Sequence, residues 1–143
     1  MTTFRLADFL PYRVVALGQA MGQGLARQYA EEFGLGIPEW RTLALIGQHS
    51  QVTAARVVAE TPMDKATVSR AVASLAERGL VDRVPHAEDR RATVLALSEE
   101  GARVFAAVSE RALGYEAGLL AALTDEERRQ LDALLGKLAG AAA

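Results

Sequence analysis

The chain of 143 residues contains no cysteine. This absence excludes disulfide bonds, thiolate nucleophiles, zinc–thiolate sites and thiol-based redox sensing. Only two histidines are present, His49 and His86, and they lie far apart without the spacing of metal ligands. An enzyme would need a nucleophile, a metal or an acid–base cluster, and the sequence offers none of these clearly. We therefore expect no catalytic residues, no metal and no cofactor.

Long hydrophobic runs are also missing, because no apolar stretch approaches the roughly 20 residues that cross a bilayer. The N-terminal region carries Asp8, Pro11 and Arg13 within its apolar part, which does not fit a signal peptide. Charged residues make up 24% of the chain and form no long block of one sign, so extensive disorder is not expected. These features predict a folded cytoplasmic protein without a membrane partner.

Half of the residues are hydrophobic, and they recur at helical spacing through most of the chain. We predict a mainly α-helical single domain. Two short strand-like segments, 80–84 and 92–97, are the only strands that we expect. The predicted helices cover about 6–33, 38–49, 54–61, 65–79, 99–122 and 125–139.

Helix-terminating signals support these boundaries. Thr53, Asp64 and Ser98 are N-cap residues placed directly before predicted helices. Thr124 and the glutamate three residues later form a capping-box pattern before the last helix. Gly79 follows the fourth helix, where a glycine commonly ends a helix.

The order of the central elements is helix, turn, helix and hairpin, which is the order of a winged helix-turn-helix. A two-stranded hairpin is marginal in water, so we expect it to pack against the preceding helices. The link between its strands, residues 85–91 with the sequence PHAEDRR, is too long for a tight turn. We therefore predict that this link projects as a wing.

The fourth helix has two contrasting sides. An apolar stripe has the spacing of a buried helical face, and it consists of Val68, Ala71, Val72 and Leu75. A helix that enters the major groove needs small residues, hydroxyls and arginine on its other side. The opposite arc supplies them as Ser69, Arg70, Ala73 and Ser74, with Lys65 and Thr67 near the start. The alternative is the ordinary polar face of a soluble helix, but the position between a turn and a hairpin favours DNA recognition.

Residues 52–101 resemble the DNA-binding core of the MarR family of bacterial transcriptional regulators. The most specific part is DKATVSRAVASLAERGLVDR, followed by an Asp-Arg-Arg wing and a Leu-Ser-Glu-Glu-Gly helix start. The flanking long helices also match the family layout, so the resemblance covers nearly the whole chain. One departure is Thr61-Pro62, where the family more often has an apolar residue and glycine.

The resemblance implies a homodimer in which the first, fifth and sixth helices of both chains interlock. We accordingly expect a single domain, 1–143, with a dimerisation region at 1–36 and 99–143 and a DNA-binding region at 37–98. The leucines of the last two helices agree with this expectation because they are too many for the surface of a small monomer. An ordinary core within one chain is the competing interpretation. These leucines are Leu119, Leu120, Leu123, Leu131, Leu134, Leu135 and Leu138.

The resemblance also implies that the wing reaches the minor groove with an arginine at its tip. Arg91 is the matching residue, and Asp89 can orient its guanidinium through a bidentate contact. Arg90 is then expected at a phosphate. A narrow minor groove concentrates negative potential, which favours arginine. A purely structural salt bridge between Asp89 and Arg91 is the alternative.

Charge alone argues against a nucleic-acid partner, because the net charge is −2. Residues 65–91 contain six basic residues against four acidic ones, a surplus of only two positive charges. The acids lie mostly away from the proposed DNA-reading arc, and a dimer would double the positive surface. We expect modest nonspecific affinity and strong salt dependence.

Six of the eight aromatic residues fall within the first 40 positions. Tyr12 and Arg13 could stack on an aromatic ring and pair with its carboxylate, with Phe9 and Trp40 as further pocket residues. Core aromatics and a surface arginine are the alternative interpretation. The resemblance implies regulation by small ligands, often aromatic acids. We expect a regulator, most simply a repressor, that binds a palindromic DNA operator as a homodimer and responds to such an effector; a dimeric regulator without an effector is the second hypothesis.

Overall fold

The computed structural model describes residues 3–85, 88 and 93–143. A short 3₁₀ turn at Leu6–Asp8 precedes the first helix. Three strands are formed by β1 (Gln51–Thr53), β2 (Val81–Pro85) and β3 (Thr93–Leu97). The helices are α1 (Leu10–Phe33), α2 (Ile37–His49), α3 (Ala54–Glu60), α4 (Lys65–Glu77), α5 (Glu99–Leu120) and α6 (Asp125–Ala142). The mainly helical prediction is confirmed.

The first helix begins at Leu10, so its predicted start at Leu6 was wrong. Phe9 has an extended backbone and Pro11 occupies the first turn of α1. A helix begun at Leu6 would place Pro11 in its interior, where proline lacks the N–H donor and clashes with the preceding turn. The fifth helix likewise ends at Leu120, two residues earlier than predicted, and α6 continues to Ala142.

The prediction of only two strands was also wrong. The sheet has three antiparallel strands in the order β1-β3-β2. Val52 of β1 pairs with Leu95, and Val81 and Pro85 of β2 pair with Leu97 and Thr93. The third strand explains how the marginal hairpin is stabilised, because β3 has a neighbour on both edges. Three residues are too few to show the alternation that identifies a strand in a sequence.

The N-cap predictions are confirmed by hydrogen bonds. The Thr53 hydroxyl accepts from the Arg56 N–H at 3.2 Å, and the Ser98 hydroxyl accepts from the Gly101 N–H at 3.0 Å. Thr124 makes the predicted capping box with the glutamate three residues later. Gly79 ends α4 with φ +72°, a left-handed conformation that favours glycine.

The hydrophobic core lies between the second half of α1, α2, α3, α4, the sheet and the first half of α5. Two glycines bring α5 close to this core. A Cβ on Gly101 would overlap the carbonyl oxygen of Leu80, and a Cβ on Gly47 of α2 would lie 2.8 Å from the ring of Phe105. The central residues of the core are fully buried: Tyr29, Leu35, Leu43, Ile46, Val57, Val68, Leu75, Leu95 and Val108.

The first half of α1 and all of α6 extend beyond this core. The buried residues of α1 are Gly24 and Tyr29, both in its second half, and no residue of α6 is buried. The chain exposes 10008 Å², whereas a compact monomer of its mass would expose about 7,100 Å². Much apolar surface is therefore uncovered in the single chain. Among the described helices, none combines the length and the apolar character needed to cross a membrane.

Candidate nucleic-acid interface

The turn between α3 and α4 is made by Thr61 and Pro62, the two residues that depart from the family pattern. Thr61 is extended, with φ −130° and ψ 157°, and its hydroxyl donates to the Val57 carbonyl at 2.6 Å. Pro62 cannot continue α3, and Met63 is buried below the turn. The hydrogen bond of the Thr61 hydroxyl and the proline at position 62 thus end α3, where the family more often has a glycine.

Asp64 begins α4 by accepting a hydrogen bond from the Thr67 N–H at 2.7 Å. This backbone bond is the main cause that lowers the pKa of Asp64, with the Thr67 side chain and the charge of Arg70 adding to it. The carboxylate accepts a hydrogen bond from one of the free N–H groups of the first turn, and its negative charge interacts favourably with the positive end of the helix dipole. The start of α4 is therefore well defined.

The burial pattern of α4 agrees with the two sides predicted from the sequence. Val68, Ala71, Val72 and Leu75 are buried. On the opposite side Lys65, Ser69, Arg70 and Ala73 are exposed. This exposed arc, defined here as Lys65, Ser69, Arg70 and Ala73, joins two cations and a hydroxyl to small residues on one surface.

Thr67 and Ser74 differ from the rest of the predicted DNA contacts. Thr67 is half-buried, and its hydroxyl lies 3.5 Å from the Arg70 guanidinium. Ser74 is also half-buried, and its hydroxyl donates to Oε2 of Glu39 at 2.6 Å. Because that hydroxyl is engaged with α2, Ser74 does not belong to the exposed arc. The predicted contact of Ser74 with DNA stays a prediction.

The predicted wing residues Asp89, Arg90 and Arg91 lie outside the described residues. The hairpin that leads to them is described as far as the pair formed by Pro85 and Thr93. The roles of these three residues remain predictions.

The four predicted effector residues do not form one cluster in the single chain. Phe9 and Tyr12 are exposed near the start of α1, as is Arg13. Trp40 instead packs between Tyr29, at 5.8 Å between ring centroids, and Phe105, at 6.4 Å. Tyr12 and Tyr29 are 17 residues apart on α1, which is about 25 Å along a helix. Trp40 thus packs with the core aromatics, away from Tyr12 of the same chain, and its effector role stays a prediction.

A polar network at the end of α4 was not predicted. Arg78 donates to the carbonyls of Phe33 and Gly34, the latter at 3.1 Å. It also lies 3.6 Å from Oε2 of Glu39, the oxygen that accepts from Ser74. These partners are 35 to 45 residues apart in the chain, so no local pattern could have indicated them.

His49 was expected to be structural. Its Nε2 lies 3.5 Å from Oε2 of Glu60, which also pairs with Arg56. The Arg56 hydrogen bond is the main cause that lowers the pKa of Glu60. Among the residues that the structure describes, no group of three or more histidine or carboxylate side chains could hold a metal ion.

A three-helix core that presents one helix beside a small antiparallel sheet is a winged helix-turn-helix. Comparison with known proteins agrees with this fold. The MarR family matches residues 33–92, which run from the end of α1 to the wing. The winged helix-turn-helix of this chain is therefore similar to that of the MarR family of transcriptional regulators.

Individual relatives are distant but cover much of the chain. A MarR/EmrR family regulator from Acinetobacter is 27% identical, with a TM-score of 0.88 over 97% of this chain and 98% of that one. The PcaV regulator of Streptomyces coelicolor is 26% identical, with a TM-score of 0.82 over 100% of both chains. The transcriptional repressor IacR of Pseudomonas putida is 26% identical over 98 residues, which are 68% of this chain. That match spans 58% of the repressor, less than two thirds of its length.

The N-cap of α4 makes a pH-dependent contribution to stability. Asp64→Ala is expected to lower the melting temperature because the Thr67 N–H loses its acceptor. The pKa of Asp64 is lowered in the folded state, so the stabilisation is present above the unfolded value of about 4 and is lost as the pH falls through the folded value. Thermal unfolding of both proteins between pH 3 and 7 measures the difference.

Glu77→Ala is the matched control, because it removes an exposed carboxylate from the other end of α4. It should leave the melting temperature unchanged or slightly higher, since an acid near a helix C-terminus is unfavourable. A difference in melting temperature between wild type and Asp64→Ala that stays constant down to pH 3 would contradict the assignment of Asp64 as the cap.

Proposed function

We propose that this protein is a sequence-specific DNA-binding regulator that represses transcription, with α4 as the recognition helix. The exposed arc of α4 is the observation that carries the proposal. Its buried side holds the helix in the core, so Lys65, Ser69 and Arg70 can face the major groove without loss of packing. Arginine and serine at such positions are able to contact guanine edges and phosphates. The name of the Pseudomonas putida relative supports the repressor role.

We propose further that residues 37–98 bind DNA and that 1–36 and 99–143 form the dimerisation region. The exposed apolar surface supports this division. Leu134, Leu135 and Leu138 of α6 are 56%, 53% and 45% exposed in the single chain. Val14 and Leu17 of α1 are also exposed, at 48% and 56%. Exposed large apolar side chains in this number indicate an interaction site, and a second copy of the chain presents the same residues.

A two-fold dimer carries two copies of α4 and two wings. Such a dimer binds an inverted repeat whose half-sites are about one helical turn, roughly 10 base pairs, apart. Doubling the exposed arc also doubles its positive charge at the DNA, which offsets the net negative charge of the chain.

The small-molecule effector belongs to this proposal as well. PcaV has been solved with its natural ligand, which supports ligand regulation in a chain of the same fold. Tyr12 and Arg13 are exposed beside Phe9 near the start of α1. We propose that they bind an aromatic carboxylate where α1 meets other parts of the dimer. A dimeric regulator without an effector is the alternative.

The dimer is tested by sedimentation, which should give a stable dimer at micromolar concentration. Leu134→Asp should raise the dimer dissociation constant by about tenfold or more, because it would bury an unpaired carboxylate. Val84→Asp is the matched control: Val84 is 39% exposed but lies in the hairpin, so the dimer should survive. A stable wild-type monomer would contradict the dimer and the inverted repeat together.

Substitutions in the two DNA-reading elements, α4 and the wing, are expected to change DNA binding in different ways. Arg70→Ala should cost about 1–3 kcal/mol of binding and relax base preference at a defined position, because α4 reads the major groove. Arg91→Ala should weaken binding to many sequences and reduce the salt slope by about one. Asp89→Ala should reproduce the effect of Arg91→Ala in part, because the arginine loses its orienting partner.

Binding titrations across salt concentrations, combined with single-base operator variants, separate these patterns. Folding should survive all three changes, and circular dichroism checks this. Operator binding by Arg91→Ala equal to wild type at every salt concentration would exclude the wing assignment. The two arginines would then form an ordinary solvated loop.

The effector is tested with benzoate and hydroxybenzoate derivatives as probes. These should raise the melting temperature and change operator affinity, and Arg13→Ala should weaken both responses while unliganded DNA binding persists. An unchanged response in Arg13→Ala would contradict the site at Arg13. The cleft of about 690 Å³ between α3, α4 and the hairpin, lined in part by Val58, Val72 and Arg83, would then be the next location to test.

A further inference from the structure

The end of α4 is bound to the end of α1 through the guanidinium of Arg78. This side chain donates to the carbonyls of Gly34, at 3.1 Å, and of Phe33. The last carbonyls of a helix have no partner within that helix, and a cation there also complements the helix dipole. Gly34 itself is left-handed, with φ +65°, and closes α1 through its own N–H to Ala30. Arg78 therefore occupies the point where the chain leaves α1.

Glu39 joins the same network from the first turn of α2. Its Oε1 accepts from the Gly36 N–H at 3.0 Å, and its Oε2 accepts from the Ser74 hydroxyl at 2.6 Å. Arg78 lies 3.6 Å from that Oε2. The Glu39 side chain is only 19% exposed, and its bond with Ser74 is partly shielded from water. Ser74 and Arg78 are four residues apart and share one face of the helical turn.

The network adds a directional constraint on the orientation of α4 to the packing of its apolar stripe. Apolar contacts are not directional, whereas hydrogen bonds weaken steeply with distance and angle. Lys65 lies 13 residues from Arg78, which is about 20 Å along a helix. A tilt of about 5° at the Arg78 end would therefore move Lys65 by about 1.7 Å. Such a shift exceeds the tolerance of a hydrogen bond to a base edge.

We infer that Arg78 is a positioning residue for DNA recognition, acting with Glu39 and Ser74. It sets the angle at which α4 presents its exposed arc, and it does so from the opposite end of the helix without touching DNA. This inference rests on the proposed function of α4. It also gives Ser74 a role that differs from the base or phosphate contact predicted from the sequence.

The test compares specific and nonspecific binding. The specific probe is the duplex that the wild-type protein enriches from a random-sequence pool, and the nonspecific probe is the unselected pool. Arg78→Ala should weaken binding to the specific duplex about tenfold, because a displaced base contact of α4 costs about 1–3 kcal/mol. Its binding to the unselected pool should change by less than about twofold, because phosphate contacts tolerate small displacements of α4. The salt slope should stay at the wild-type value.

Two other roles for Arg78 would give different results and would overturn the inference. A role in stability alone would lower both affinities together, in proportion to the unfolded fraction. A direct phosphate contact would lower both affinities and reduce the salt slope by about one. Specific binding by Arg78→Ala equal to wild type would also overturn it. Arg103→Ala, which removes an exposed arginine paired with Glu100 in α5, is the charge-matched control and should bind like wild type.

Two further variants keep the test decisive if Arg78→Ala unfolds at the assay temperature. Ser74→Ala removes only a hydroxyl and should show the same selective loss, at about threefold. Glu39→Gln should show the same selective loss of affinity for the specific duplex. The double variant Glu39→Gln, Arg78→Ala should lose less affinity than the sum of the two single losses, because both changes break the same network. Selective loss in neither variant would overturn the inference. A wild-type protein that enriches no sequence at all would instead refute the proposed function, and the inference with it.

Discussion

The burial of one side of α4 is the constraint on which the rest of the structure depends. Val68, Ala71, Val72 and Leu75 are buried, and Leu75 and Val68 are almost completely so. Since an apolar stripe at this spacing can face only one way, the opposite arc must be exposed. The Asp64 cap and the left-handed Gly79 limit the helix to the length that this packing requires. Lys65, Ser69 and Arg70 are exposed as a consequence.

The features that the sequence could predict are those with short-range causes. The caps at Thr53, Asp64 and Ser98 join residues three positions apart, and the stripe of α4 repeats every three or four positions. Both signals lie within a single window of sequence. The same holds for the position of α4 between a turn and a hairpin. These predictions concerned the fold and the buried stripe of α4, and there they were confirmed.

The features that the sequence could not predict have long-range causes. Strand β1 exists because Val52 pairs with Leu95, more than forty residues away, and its three residues carry no pattern of their own. Ser74 lies on the polar side of α4 by its spacing, yet Glu39 of α2 engages its hydroxyl. Trp40 was grouped with Tyr12 because both fall among the first 40 residues, whereas packing against Tyr29 and Phe105 places it in the core. In each case a tertiary contact outweighs a local signal.

We propose that a dimer of this chain recognises a defined DNA sequence through the exposed arc of α4. The most direct measurement is to sequence the fragments of its own genome that the purified wild-type protein retains. We expect enrichment of a small set of fragments that share an inverted repeat, with half-sites about 10 base pairs apart. Retention of fragments in proportion to their abundance, with no shared sequence, would contradict it.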